Sequence, residues 1–235
     1  MLLREAITRN SLKLGVFAMI TAGIIAGTNL GTKERIAQQE KIAKGKALLQ
    51  IVRRRDHDNE MLDDIWQIPE HELSQLNLKE ATPVYIARNE GKPVAAVITS
   101  VAPDGYAGRI QLIVGIDVTG KITGVRAVKH QETPGLGDRI NRSKSNWIDG
   151  FIGKSINDPA PELWKVKKDK GVFDQFTGAT ITPRAVVKQV YNTLQYFEKH
   201  KTDIFPSLKN KSGETTVNIP TSTSAPHKIK VNDDE

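Results

Sequence analysis

Residues 12–30 read LKLGVFAMITAGIIAGTNL and carry one charge, Lys13, at their leading edge. At about 1.5 Å per helical residue this run nearly spans a hydrocarbon core of about 30 Å. Arg4, Arg9 and Lys13 lie at its front, and basic residues stay on the cytoplasmic side of such a segment. The expectation is therefore a cytoplasmic stretch at 1–11, a single-pass helix at 12–30, and export of everything that follows. The competing reading is a cleaved signal peptide, because the most apolar part, 14–26, has the length of such a segment and small residues follow it. Beyond it, Ile36, Ile42, Leu48, Leu49 and Val52 recur at helical spacing among acidic and basic residues. An uncut anchor continued by a helical stalk over 31–56 accounts for both segments together, although Gly45 weakens the stalk by up to about 1 kcal/mol relative to Ala.

The remainder of the 235 residues is one folded domain plus appendages, at about 150 residues per domain. The chain has no cysteine, which removes disulfides, cysteine-held zinc, iron–sulfur clusters and CxxCH-attached haem. Any electron it moves must ride on an organic cofactor. The net charge of +7 is spread over residues of alternating sign with no basic stripe interleaved with aromatics, so no nucleic-acid partner is expected.

Residues 56–78 are acidic, contain His57 and His71, and break at Pro69, which predicts short helices and loops over Met61, Leu62, Ile65 and Trp66. The histidines stand beside Asp58, Glu60, Glu70 and Glu72 without HExxH spacing, and no metal site is assigned. From Pro83 the texture becomes β. Runs rich in Val and Ile at 84–88, 94–101, 109–117 and 121–129 are separated by Asn-Glu-Gly, Pro-Asp-Gly-Tyr-Ala-Gly and Thr-Gly turn signals. A hairpin is expected around Val118-Thr119-Gly120. A helix follows from Pro183 to about His200, with Thr182 as N-cap, Pro183 at the first position, and Val186, Val187, Val190, Leu194 and Phe197 on one face. The fold class is α+β: an antiparallel sheet covered by a C-terminal helix, with a folded domain over 57–206 and a disordered polar tail over 207–235.

Two blocks stand out. Phe176-Thr177-Gly178-Ala179-Thr180-Ile181-Thr182-Pro183 is a hydroxyl-rich turn just ahead of a helix, where unpaired N–H groups and the dipole favour an anion. Taken alone, it reads first as a capped helix start with a glycine turn. His130-Gln131-Glu132-Thr133-Pro134-Gly135-Leu136-Gly137-Asp138 ends a strand in a glycine turn whose backbone can lie against a flat ligand, with Leu136 as an apolar contact. Taken alone, it is equally a loop without a ligand. No Ser, Cys or second His is spaced to complete a triad, so no catalytic residue is assigned.

Together, behind an N-terminal anchor, the two blocks resemble the FMN-binding domain family, most closely the G-subunit branch of Rnf (Rsx) ion-translocating electron-transport complexes. The C subunits of sodium-pumping NADH:quinone reductases are related. The resemblance implies one FMN per chain, joined by a phosphoester bond to the last Thr of the motif, here Thr180, with Thr177, Gly178 and Ala179 filling the other motif positions. It implies that His130, Glu132, Thr133, Pro134, Gly135, Leu136 and Gly137 lie near the isoalloxazine ring, and Tyr106 and Thr182 join the binding set. Pro183 replaces a Ser found in many relatives, which bears on the first helical turn and leaves the attachment Thr intact. The implied setting is a bacterial inner membrane with the main domain periplasmic. The implied partners are the other Rnf subunits, a flavin transferase for maturation, and the bilayer. An assembly module without a working flavin, or a soluble exported flavoprotein, are the alternatives.

Overall fold

The computed structural model describes residues 2–206; the expected tail at 207–235 lies outside them. Helix α1 (Leu2–Leu49) is one uninterrupted helix of 48 residues, about 72 Å long at 1.5 Å per residue. The apolar segment and the first part of the expected stalk thus form a single rod; the helix stops at Leu49, short of the expected 56, and Arg54–Asp56 form a separate short turn of helix. Its segment Asn10–Lys33 is long and apolar enough to cross a membrane once, and none of its most apolar window is covered by the rest of the protein.

Five strands follow: β1 (Ile65–Gln67), β2 (Pro83–Asn89), β3 (Lys92–Gly105), β4 (Gly108–Asp117) and β5 (Ile122–Lys129). They form an antiparallel meander in the order β1-β2-β3-β4-β5. The expected strands and the β4–β5 hairpin are present. Asp117 closes that hairpin, its carboxylate accepting from the Thr119 N–H at 2.7 Å and the Lys121 N–H at 3.0 Å. Between β2 and β3, Glu90 and Gly91 both take positive φ (50° and 72°), the two-residue turn whose twist suits a hairpin.

Two features differ from the sequence reading. Strand β1 lies where only short helices and loops are expected; its three residues pair through Trp66 opposite Val84 and are too few to show alternation. The turn signal after the third strand is not a broad loop, for β3 and β4 extend until Gly105 pairs with Gly108, leaving Tyr106 and Ala107 as the tip. A register shift between Ala102 and Gly105 accommodates Pro103, which has no N–H for the ladder.

Helix α2 (Ile181–Ile204) covers one sheet face. Val186, Val190, Leu194 and Phe197 join Ala96, Ile98 and Ala102 of β3 and Ile110, Leu112 and Val114 of β4 in one buried cluster. On the opposite face, Leu48 at the end of α1 and Ile51, Val52 and Met61 beyond it pack over Ala87, Ala95, Val97 and Ile113. The rod therefore ends docked on the sheet. Strand β3 is buried on both faces, which is why its residues form a nearly continuous apolar run rather than an alternating one.

The docking depends on two glycines. Gly115 and Gly124 face each other across β4 and β5, and a Cβ at Gly115 would collide with Cγ2 of Ile51 and Oγ1 of Thr123. Ile51, 3% exposed, fills the depression they leave, worth about 1.5–3 kcal/mol of burial. Gly115→Ala is expected to destabilise the domain by about 1–3 kcal/mol through overpacking, read from urea unfolding of the detergent-solubilised chain; an unchanged midpoint would show that Ile51 is not seated there.

Candidate functional site: a cleft at the start of helix α2

Three segments distant in sequence meet at the N-terminus of α2: the β3–β4 tip, the loop after β5, and the turn before α2. They enclose a cleft of about 260 Å³ lined by Tyr106, Glu132, Thr133, Leu136, Gly137, Gly178, Ala179, Thr180, Ile181 and Thr182.

Glu132 joins them. It is 4% exposed; its Oε1 accepts the Ala107 N–H at 3.0 Å and its Oε2 accepts a short hydrogen bond from the Thr182 hydroxyl. Two glycines make room for it. A Cβ at Gly105 would lie 2.8 Å from Oε1, and one at Gly137 would lie 2.6 Å from Oε2 and 2.8 Å from the Thr182 hydroxyl oxygen. The buried carboxylate is thereby supplied with a backbone and a hydroxyl donor, as burial of such a group demands.

This geometry corrects the expected helix start. Helix α2 begins at Ile181, Thr180 occupies the N-cap position, and Thr182 lies buried in the first turn. The Thr182 hydroxyl is committed to Glu132. The Thr180 side chain makes no capping hydrogen bond and borders the cleft. Upstream, Gly178 takes φ 79° and the Ala179 N–H returns to the Phe176 carbonyl at 3.1 Å, a tight turn of the kind glycine permits. Phe176 anchors it, 5% exposed and edge-on to Trp147 at 5.0 Å.

The loop after β5 is held by its own backbone. The Thr133 carbonyl accepts the N–H groups of Leu136, Gly137 and Asp138 at 3.1, 3.1 and 3.3 Å, and the buried Asp138 carboxylate accepts the Gly135 N–H at 2.8 Å. Gly135, at φ 78°, shapes this turn but does not line the cleft. His130 also stands behind it: Nδ1 accepts the Glu132 N–H at 3.1 Å, and Nε2 lies 2.8 Å from the Asn141 side-chain amide. Thr177 is exposed and outside the lining, as is Pro134. Lys129, Arg139 and Trp147, near the two motifs in sequence, do not line the cleft either. Ile181 does, and Asp138 and Asn141 support it; a hydrophobe after the motif and two polar residues after a glycine turn carry no signal that singles them out in sequence.

Among the described residues the lining contains no Lys, Arg or His. The nearest arginine on α2, Arg184, is engaged elsewhere: its guanidinium grips Asp169 through Nε at 2.6 Å and Nη2 at 2.9 Å, and that hydrogen bond holds the Asp169 carboxyl below its ordinary value. An anion in the cleft therefore meets backbone N–H groups, the helix dipole and the hydroxyl-bearing Tyr106, Thr133 and Thr180, with the Glu132 carboxylate already supplied by its own two donors; Pro183 contributes no N–H.

A family model described as FMN-binding domain matches residues 105–195, a stretch that runs from the β3–β4 tip into α2 and contains the whole lining. A second, described as RnfG N-terminal region, matches residues 1–51. A Pseudomonas aeruginosa protein named as the G subunit of the ion-translocating oxidoreductase complex is 47% identical over 198 residues, covering 84% of this chain and 92% of its own. The chain belongs to this G-subunit family. Like-named proteins of Vibrio vulnificus (45% over 209 residues; 89% of this chain, 98% of theirs) and Shewanella baltica (44% over 203; 86% and 95%) agree. Within the family's FMN-binding domain, the cleft is the place where the two sequence motifs and a helix end converge.

Thr182→Val keeps the shape but leaves one buried carboxylate oxygen without its donor. A loss of about 1–3 kcal/mol in unfolding free energy is expected, with Thr182→Ser close to the parent; equal stability of the valine variant would mean that Glu132 is not held through this hydroxyl.

Proposed function

We propose that this chain is an electron-carrying subunit of a membrane-bound ion-translocating oxidoreductase complex, holding FMN through a phosphoester bond to Oγ of Thr180. The observation that carries the reading is an uncommitted threonine hydroxyl at a helix N-terminus in a cleft that has, among the described residues, no cationic side chain. A helix end at a partly exposed site stabilises an anion by only about 0.3–1 kcal/mol. Free FMN would be held poorly by that alone, whereas esterification keeps the phosphate at the helix start regardless of dilution.

The residues present suit such a group. Thr180 would supply the ester oxygen, its hydroxyl proton and the group displaced from phosphorus both leaving as the transferase forms the O–P bond, and Gly178 and Ala179 leave the approach unobstructed. Leu136, Ile181 and Tyr106, exposed to 42%, 46% and 68%, offer apolar surface for a flat ring. Sites that enclose a drug-sized ligand run to about 300–1,000 Å³; a cleft of about 260 Å³ covers only part of the nucleotide and leaves the rest open to an electron partner. When bound, the flavin supplies reversible electron uptake and release, and the chain supplies position and surroundings. A separate flavin transferase installs it, so Thr180 is an acceptor and needs no base of its own.

Arg4, Arg9 and Lys13 at the front of the apolar segment support a cytoplasmic N-terminus and a periplasmic domain. The continuity of α1 from that segment to its seat on the sheet supports an anchor that is retained. Its other partners are then the remaining Rnf subunits and the lipid bilayer.

Intact mass of the chain from its native membrane should exceed the bare polypeptide by FMN less one water. Thr180→Val should abolish ultraviolet-excited flavin fluorescence of the denatured band while the unfolding midpoint stays; persistent fluorescence would move the attachment elsewhere. Protease added to spheroplasts should digest the domain and spare the first residues, the reverse pattern overturning the orientation.

A further inference from the structure

Away from the cleft, a groove of about 410 Å³ lies between the last turns of α1 and the loop that follows, lined by residues including Ile42, Leu48, Leu49, Met61 and Leu62. Its rim carries Lys41, Lys46 and Arg54 against one carboxylate, Glu60. Among the described residues none of these three cations has an ion-pair partner, unlike Arg88, Arg126, Arg142 and Arg184. Ile42 and Leu49 remain 43% and 40% exposed on the floor, which is costly surface to leave in water beside unpaired charge. His57, 4% exposed on the wall, donates its Nδ1–H to the Arg53 carbonyl at 3.0 Å.

Height above the membrane decides the kind of occupant. Along α1, Lys41 stands about 29 Å from the middle of the apolar segment and Lys46 about 37 Å, at 1.5 Å per residue. A bilayer including headgroups reaches only about 20–23 Å from its midplane, and an ordinary helix tilt of about 20° lowers Lys41 by only about 2 Å. A phospholipid seated in the bilayer stops short of the groove. A small soluble anion would satisfy the rim and leave the floor wet.

We propose that this groove receives an acidic amphipathic segment of a neighbouring subunit, one that rises from the membrane beside α1 and lays its apolar side on Ile42, Leu49 and Leu62 with carboxylates toward Lys41, Lys46 and Arg54. The inference rests on the assignment to a multisubunit complex above. Emergence at the same membrane surface gives the segment a high effective concentration at the groove, and opposite charge fixes its register.

The test uses the whole complex in native membranes. A photo-crosslinking residue placed at Ile42 should join a segment of another subunit that has acidic residues beside the crosslinked position; a crosslink to lipid, to a second copy of this chain, or to nothing overturns the proposal. In parallel, the triple variant Lys41→Glu, Lys46→Glu, Arg54→Glu should reduce the chain retained with the purified complex at least threefold at moderate salt, with unfolding midpoint and flavin fluorescence per chain unchanged. Full retention of that variant sinks the groove proposal alone. If the unsubstituted chain retains no partner, the complex assignment itself fails.

Discussion

The buried carboxylate of Glu132 is the constraint on which the site depends. An acid with 4% exposure is tolerated only if donors reach both oxygens, and the donors come from segments far apart in sequence: the N–H of Ala107 at a hairpin tip and the hydroxyl of Thr182 inside a helix. Satisfying that one group draws the tip of β3–β4, the loop after β5 and the start of α2 into contact. The glycine at 137 follows from the same demand, since a side chain there would occupy the space of the carboxylate, and the one at 105 is required by both the carboxylate and the nearer Gly108 carbonyl. With Thr182 committed, Thr180 is the hydroxyl of the turn before α2 that is left at the cleft.

The sheet carries this arrangement between two unlike partners. Helix α2 brings the cleft to one face, while the end of α1 is fixed to the other through Ile51 in the depression of Gly115 and Gly124. Because α1 is continuous from its apolar segment to Leu48 on that face, the site is joined to the apolar segment by a stiff helix rather than by a flexible tether, which would let the domain wander. An electron carrier benefits from such restraint, since transfer depends on holding its centre near its partners.

The strands 84–88, 94–101, 109–117 and 121–129 are legible because β-branched residues and Gly-containing turns act locally, and the amphipathic face of α2 is legible from its spacing. Strand β1 escapes because three residues show no period. Thr182 resembles an N-cap since threonine ahead of Pro183 fits capping preference, yet its true partner lies 50 residues away. Within the glycine block, Leu136, Gly137, Thr133 and Glu132 do line the cleft, but Gly135 and His130 serve the loop's own geometry. Composition cannot separate a glycine needed for its φ from one needed for its lack of a Cβ.

By itself, then, the sequence determined an apolar segment at the front of the chain, a meander of short strands, an amphipathic closing helix and two distinctive blocks, because each is a property of neighbouring residues; only the resemblance to a family tied those blocks to FMN. Tertiary structure alone decided that the rod ends on the sheet, that the two motifs share one cleft, and that of three clustered threonines Thr180 is the one whose hydroxyl is uncommitted there. Those outcomes rest on contacts between distant segments, where burial of one carboxylate and the space left by a few glycines select among partners that local propensity treats alike.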